Sequence, residues 1–377
     1  MSQQKKILIL GWRDPKNPLA GGAEQVVHEH AKAWVKAGNK VTLFSSIFSN
    51  ALAFEKMDGI NIIRAGHPYF FGVQLAAYLY YKKRSSEFDL IVDQFHGFPF
   101  FTPFYVKQPT IALIQEVAKE VWFLNPLPKP FNLLVGILGF IIEPFIFKFY
   151  HHLQFMTGSN SAQKEVNEYG IPLKNITVIP HGVLISKNKK NNKKEKIKTI
   201  VFLGALTKDK GIEDAINCFS ILNTKDKFQF WIIGKGDRTY LKYLYRLIAK
   251  LKIKNQIKFW GFVSQNKKFE LLAKAHILIN PSVREGWGLV NIESNSVSTP
   301  VVAYNSVGII DSVKNGYSGI LCDKNNPQEL AWKVNLLLNE NTKYLKLQKE
   351  AIKWANQFNW EKSAKLSLKL INKMLRY

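Results

Sequence analysis

The chain has 377 residues, of which 46% are hydrophobic and 21% charged, with two cysteines and a formal net charge of +25. That length suits two domains rather than one core, and the composition excludes a disordered or fibrous chain. Two cysteines, Cys218 and Cys322, exclude a disulfide framework or a cysteine-rich metal cluster and suit a reducing compartment with both thiols free.

The opening stretch MSQQKKILILGWRD has an apolar run only from Ile7 to Leu10, too brief for a signal peptide, so a cytoplasmic location is expected. Short β-branched runs then alternate with longer helical ones. KKILIL, KVTLFSS, INIIRA, DLIVDQ, TIALIQ, LQFMTG and ITVIPH are predicted as strands of a first sheet. Between them, HPYFFGVQLAAYLYYKKR (67–84) and PFNLLVGILGFIIEPFIFKFYHH (130–152) are unusually aromatic. The apolar run 131–142 is interrupted by Glu143-Pro144 and falls short of the roughly 20 residues that span a bilayer. It is expected to lie in a membrane surface or against the sheet, and not to cross.

A polar Lys/Asn-rich run follows, with residues 183–198 predicted as a solvated linker. The alternation then restarts with KTIVFLG, FQFWIIG, QIKFWGF, HILINP, PVVAY and GILC. The predicted fold is therefore α/β, two Rossmann-like domains (1–182 and 199–357) facing a central cleft. A C-terminal helix (358–377) is expected to pack back on the first domain. Most of the basic excess falls beyond residue 182 and is carried by lysine rather than arginine. With no helix-turn-helix, zinc-finger or aromatic RNA-binding pattern, this argues against nucleic acid and leaves composition bias or an anionic membrane surface.

The chemistry concentrates in PSVREGWGLVNIES, residues 281–294. A strand ends at Asn280, and helical spacing resumes at Leu289. Glu285 therefore falls in the loop that enters the helix and Glu293 about a turn inside it. In continuous helix the two acids would stand roughly 12 Å apart; Gly286 and Gly288 relax the backbone so that both can address one ligand. The amides of Gly286, Trp287, Gly288 and Leu289 gather at a positive helix end, a seat for a diphosphate or a sugar hydroxyl. On spacing alone, Glu293 as a solvated helix acid and Glu285 as a first-turn acid is an equal reading.

That stretch resembles the glutamate-x7-glutamate signature of family 4, the retaining glycosyltransferases of GT-B fold. FLGALTKDKGIEDAI (202–216) is similar to the family's segment whose lysine reaches the donor phosphates, here Lys210. NPLAGGAEQVV (17–27) is similar to its N-terminal glycine loop, here Gly21-Gly22, and residues 158–183 resemble the segment closing the first domain. The resemblance implies transfer of a hexose-type sugar from a UDP- or GDP-sugar to a hydroxyl acceptor, lipid-linked or a glycan precursor. It implies no obligatory cofactor or metal, and retention achieved by same-face displacement. Glu293 would hold a ribose, Glu285 the transferred sugar, and Lys210 the departing diphosphate; Gly261-Phe262-Val263 would flank the nucleobase. Glu285, Lys210 and Gln115 are the catalytic candidates.

Departures from the family pattern are specific. Ala205 stands after Gly204 where relatives commonly carry an arginine nearby. Gln115 replaces a histidine and cannot titrate, which makes His96 the alternative on the acceptor side, and Ser298 replaces a glycine before Thr299-Pro300. Lys82, Lys83, Arg84 and Lys148 border the aromatic stretches and suit peripheral contact with an anionic membrane, on the inner face of the cell membrane. A nucleotide-sugar epimerase of the same fold and a catalytically degenerate sugar-nucleotide-binding protein are the alternatives. A dehydrogenase is disfavoured because LGWRDPKNP, not a Gly-x-Gly-x-x-Gly turn, follows the first strand.

Overall fold

The computed structural model describes residues 4–69, 71–95, 97–125, 127–183, 193–223 and 228–375. These form two compact units, one of residues 1–182 and 360–377 and the other of residues 183–359. Most of the predicted linker (184–192) lies outside the described residues. Its end does not run free as a solvated loop. The Lys194 ammonium donates to the Ala275 carbonyl and to Thr299 Oγ1, and the Glu195 amide donates to the Lys274 carbonyl.

The first unit contains β1 (Lys6–Leu10), α1 (Gly22–Lys36), β2 (Lys40–Ser45), β3 (Phe54–Met57), β4 (Ile60–Arg64), α2 (Gly72–Arg84), β5 (Leu90–Phe95), β6 (Thr110–Ile114), α3 (Phe131–Tyr150), β7 (Gln154–Thr157), α4 (Asn160–Glu168) and β8 (Ile176–Val178). The second contains β9 (Thr199–Leu203), α5 (Ile212–Leu222), β10 (Gln229–Ile233), α6 (Arg238–Lys250), β11 (Ile257–Gly261), α7 (Gln265–Lys274), β12 (Ile277–Asn280), α8 (Leu289–Ser296), β13 (Val301–Ala303), α9 (Ile309–Ser312), β14 (Gly319–Leu321), α10 (Pro327–Asn339) and α11 (Asn341–Ala355). The last helix, α12 (Trp360–Met374), returns to the first unit.

The strand orders are β3-β4-β2-β1-β5-β6-β7-β8 and β11-β10-β9-β12-β13-β14. All pairings are parallel except β3 with β4. Runs such as Ile7 to Leu10 and Leu90 to Val92 are buried along their whole length, as strands covered by helices on both faces must be. Strand β3 was not among the predicted elements. It hairpins into β4 through Asp58 and Gly59, both with positive φ, the two-residue connection that an Asp-Gly pair favours.

Helix α1 buries Val27, His30, Ala31 and Trp34 on one stripe, and α12 lies against it with Leu370 and Ile371 buried. Ser367 of α12 is the polar centre of this contact: its Oγ accepts from Trp34 Nε1 (3.0 Å) and lies 3.1 Å from His30 Nδ1. Trp360 stands edge-on to His30 and presses on Gly182, where a Cβ would come within 2.3 Å of the Trp360 amide nitrogen.

Burial pushes the His30 imidazole from 6.5 down to about 4, and burial together with the His30 charge pushes His181 down to about 3. Both are neutral when folded, so the unfolded chain binds more protons once the pH falls below 6.5, and stability is lost from there down to about 4. For His30 alone the loss by pH 4 is on the order of 3 kcal/mol. We expect the unfolding midpoint to fall as the pH is lowered from 7 to 5, and His30→Gln to reduce that slope; an unchanged slope in a calorimetric series would remove His30 as a cause.

Candidate functional site

In the second sheet the strand order reverses between β9 and β12, so crossovers leave these neighbours in opposite directions and their exit loops face each other. The β9 loop carries Lys210 and the β12 loop carries Glu285. The two loops are joined along the backbone, with the Val283 amide donating to the Asp209 carbonyl (2.8 Å). Gly211, at φ 70°, starts α5 so close to Pro281 that a Cβ would lie 2.0 Å from the Pro281 carbonyl oxygen.

Held this way, Lys210 Nζ sits 3.1 Å from Glu285 Oε2 and 3.7 Å from Asp209 Oδ2, and donates to the Arg284 carbonyl. Glu285 Oε1 accepts from Ser282 Oγ (2.8 Å), and the Glu285 amide donates to the Val307 carbonyl. Both side chains of the pair are about one-fifth exposed, so a ligand can reach them. The geometry makes Lys210 and Glu285 one site rather than two separate candidates.

Glu293 is not a solvated helix acid. It is buried in the second turn of α8 and paired with Lys268 Nζ at 2.5 Å. Behind it, Asn291 accepts from Asn280 Nδ2 and donates to Ser312 Oγ, tying α8 to the end of β12 and to α9. Gly288 begins α8 at φ 83°, where a Cβ would lie 2.7 Å from Asn291 Nδ2. Side chains of Asp237, Ser264 and Asn326 cap α6, α7 and α10, whereas α5 and α8 start from positive-φ glycines without a side-chain cap. The two helices that flank the order reversal thus begin without one. Trp287 packs its ring into an apolar cluster 4.9 Å from Phe358, and Leu289 lies against the same cluster, so both contribute core through their side chains. Phe262, 77% exposed, lies beside Lys235, whose ammonium stands 5.1 Å from the ring centroid.

In the first unit, Gly21 and Gly22 open α1, and the Gly21 amide donates to Glu24 Oε2 (2.7 Å). This is half of a capping box, since glycine has no side chain to return the bond. Glu24 also pairs with Arg13 (3.0 Å). The loop before it is anchored by buried Asp14, which takes a two-pronged contact from Arg64 (2.7 and 2.9 Å) and accepts from Ser45 Oγ and the Lys16 amide. Burial raises the Asp14 carboxyl, and these bonds outweigh it and hold the group below its usual range.

Gln115 follows β6 and places Oε1 2.8 Å from Nε2 of His181, a fully buried neutral imidazole. His96 lies outside the described residues. His181, Lys268, Ser282 and buried Arg284 were not among the predicted site residues. Arg284 and Ser282 adjoin Glu285 and stood inside the quoted motif; Lys268 sits in a lysine-rich helix that reads as solvated, and nothing local marks it.

The profile described as glycosyl transferases group 1 matches residues 185–354, and that described as glycosyltransferase family 4 matches residues 20–187. An uncharacterized glycosyltransferase of Methanocaldococcus jannaschii is 25% identical over 362 residues, covering 89% of each chain. Sucrose-phosphate synthase from Thermosynechococcus elongatus superposes with a TM-score of 0.79 at 17% identity, covering 99% of this chain and 100% of that one. Anabaena HepE in complex with UDP-glucose superposes at 0.72 and 19% identity, covering 98% and 100%. Two Rossmann-ordered sheets, a lysine and a glutamate paired at the second sheet's order reversal, and two profiles that together reach from residue 20 to 354 lead to one statement: the chain is a glycosyltransferase of GT-B fold and belongs to the group 1, family 4 glycosyltransferases.

Proposed function

We propose that this enzyme transfers a hexose-type sugar from a nucleotide diphosphate sugar to a hydroxyl acceptor, with retention at the anomeric carbon and without an obligatory metal. The observation that carries the reading is the Lys210–Glu285 pair, fixed between two backbone-linked loops and flanked by helices α5 and α8 that take no side-chain cap. A diphosphate seated there would receive the Lys210 ammonium and amides at two positive helix ends. Its arrival would draw Lys210 from Glu285, freeing the carboxylate for sugar hydroxyls. A diphosphate oxygen leaves C1, the acceptor oxygen bonds to C1 on the same face, and the acceptor proton passes to the departing diphosphate.

Buried Glu293 would accept from the ribose hydroxyls while Lys268 balances its charge. Exposed Phe262 would flank the base. The UDP-glucose bound by the Anabaena relative supports a uridine nucleotide over guanosine. The acceptor is read as lipid-linked or a glycan precursor, used on the cytoplasmic face of the membrane.

Thermal-shift titration with UDP, GDP and ADP in the presence of a chelator tests the donor site. UDP is expected to raise the midpoint and Glu293→Ala to abolish the rise. Because Glu293→Ala strands Lys268, itself costing about 3 to 5 kcal/mol if broken from one side, Glu293→Gln serves as the better-folded control and is expected to weaken the response at least several-fold. No response to any nucleotide in the wild type would exclude the donor site. In a direct transfer assay Lys210→Ala is expected to lower turnover by about tenfold or more, in the range typical of losing one stabilising cation; near-wild-type turnover would remove Lys210 from the mechanism.

A further inference from the structure

Helix α3 buries only a narrow stripe, Gly136, Gly139, Glu143, Ile146, Phe147 and Tyr150. Its two glycines let it lie directly on residues 119–124, where a Cβ on Gly136 would come 2.6 Å from Phe123 and one on Gly139 2.3 Å from Trp122. On the remaining faces, ten large apolar side chains between Phe131 and Phe149 stand 41% to 60% exposed. A surface helix ordinarily turns a polar face to water; this one turns an apolar face outward, far beyond what a soluble monomer leaves bare.

The patch does not stop at α3. Phe149 packs on Phe104 (4.9 Å), Phe104 on Phe101 (6.5 Å) and Phe101 on Phe71 (6.3 Å), which leads to exposed Leu75 and Leu79 of α2. Charge at the rim of this surface is mainly cationic, although Arg84 is paired there with exposed Glu87 (3.2 Å). The only acid of α3, Glu143, is buried and accepts from the Ala118 and Lys119 amides (2.7 and 2.9 Å), while Lys148 and, at the end of α2, Lys82, Lys83 and Arg84 are exposed at the margin.

We propose that the outer faces of α2 and α3 form one docking surface for an anionic lipid bilayer, with α3 lying in the membrane plane. The proposal deepens the reading of a lipid-linked acceptor and rests on it for its purpose, though not for its test. Lipid fits better than a second copy, because pairing this face with itself would bring two cationic margins together. Helix α3 is long and apolar enough to cross a bilayer by length and composition. Crossing would carry the Glu143 carboxylate away from the two amides that satisfy it, so lying flat keeps the unit intact.

Flotation of the full-length protein on phosphatidylcholine vesicles with and without phosphatidylglycerol tests this at low and high salt. We expect strong flotation on the anionic vesicles at low salt and roughly tenfold less on neutral ones or at high salt, where charges are screened within about 3 Å. The double variant Leu138→Glu/Ile141→Glu is expected to stay at the bottom while keeping its nucleotide-induced thermal shift, which shows that it folds. Wild-type protein that does not float on anionic vesicles overturns the proposal, as does a dimer in sedimentation that Leu138→Glu/Ile141→Glu dissociates. A fluorophore on Leu138→Cys, selective because Cys218 and Cys322 are buried, should be quenched best by lipids labelled near the headgroup; best quenching from the bilayer centre overturns the in-plane placement. Flotation is scored apart from the nucleotide response, so failure of the docking surface and failure of the transferase reading are separate results.

Discussion

The site in the second unit depends on one constraint of parallel sheets. Crossovers between parallel strands keep a single hand, so in a sheet that grows outward in both directions the crossovers leave its two central strands in opposite directions and the exit loops of those strands face each other. Here those strands are β9 and β12, and their loops carry Lys210 and Glu285. The charges meet because the backbone brings them together first, through the Asp209–Val283 bond and the contact of Gly211 with Pro281. An ion pair that is partly solvent-exposed contributes little to stability by itself. It is well suited to be opened by a ligand that offers the lysine a better anion.

The same economy explains the helix starts. Three helices of the second unit take ordinary side-chain caps, which satisfy amides left over at a helix end. Helices α5 and α8 begin from glycines whose positive φ admits no side chain cheaply and whose neighbours leave no room for one. Stability of roughly a few tenths of a kcal/mol per cap is forgone at both, since glycine itself is a tolerable cap. In the first unit the corresponding end of α1 is handled differently, with Glu24 folded back onto the Gly21 amide and held by Arg13. An anion approaching that end meets a carboxylate already paired with an arginine.

Much of this was legible from the chain. Continuous apolar runs marked the buried parallel strands, since such strands need no polar face, and the restart of the pattern after residue 198 marked a second sheet. What escaped was local or non-local in identifiable ways. Strand β3, FEKM, has alternating exposure and no apolar run, and only the Asp58-Gly59 turn announced it. Lys268 is one of many lysines, and its pairing with Glu293 bridges two helices that sequence cannot align. Gln115 was taken as a lost titratable group; the structure sets a histidine, His181, against its amide, but one so deeply buried that it stays neutral. Ser298, which stands where relatives carry a glycine, sits at φ 63°, where its hydroxyl donates to the Gln348 carbonyl and the Gln348 side chain donates back to the Ser298 carbonyl.

Helix α3 shows why apolar composition alone does not identify an element's neighbour. Twenty residues with a mean hydropathy of 1.9 over the richest window suit a buried crossover helix, an interfacial helix or a spanning one equally. What separates them is where the few small and polar residues fall. Gly136, Gly139 and Glu143 recur at three- and four-residue steps, so they share one stripe, and that stripe faces the protein. Apart from Ile146, Phe147 and Tyr150 at its C-terminal end, the helix's large side chains therefore point outward. A sequence that reserves its glycines and its one acid for the inner contact has placed its apolar surface where only a non-aqueous neighbour satisfies it.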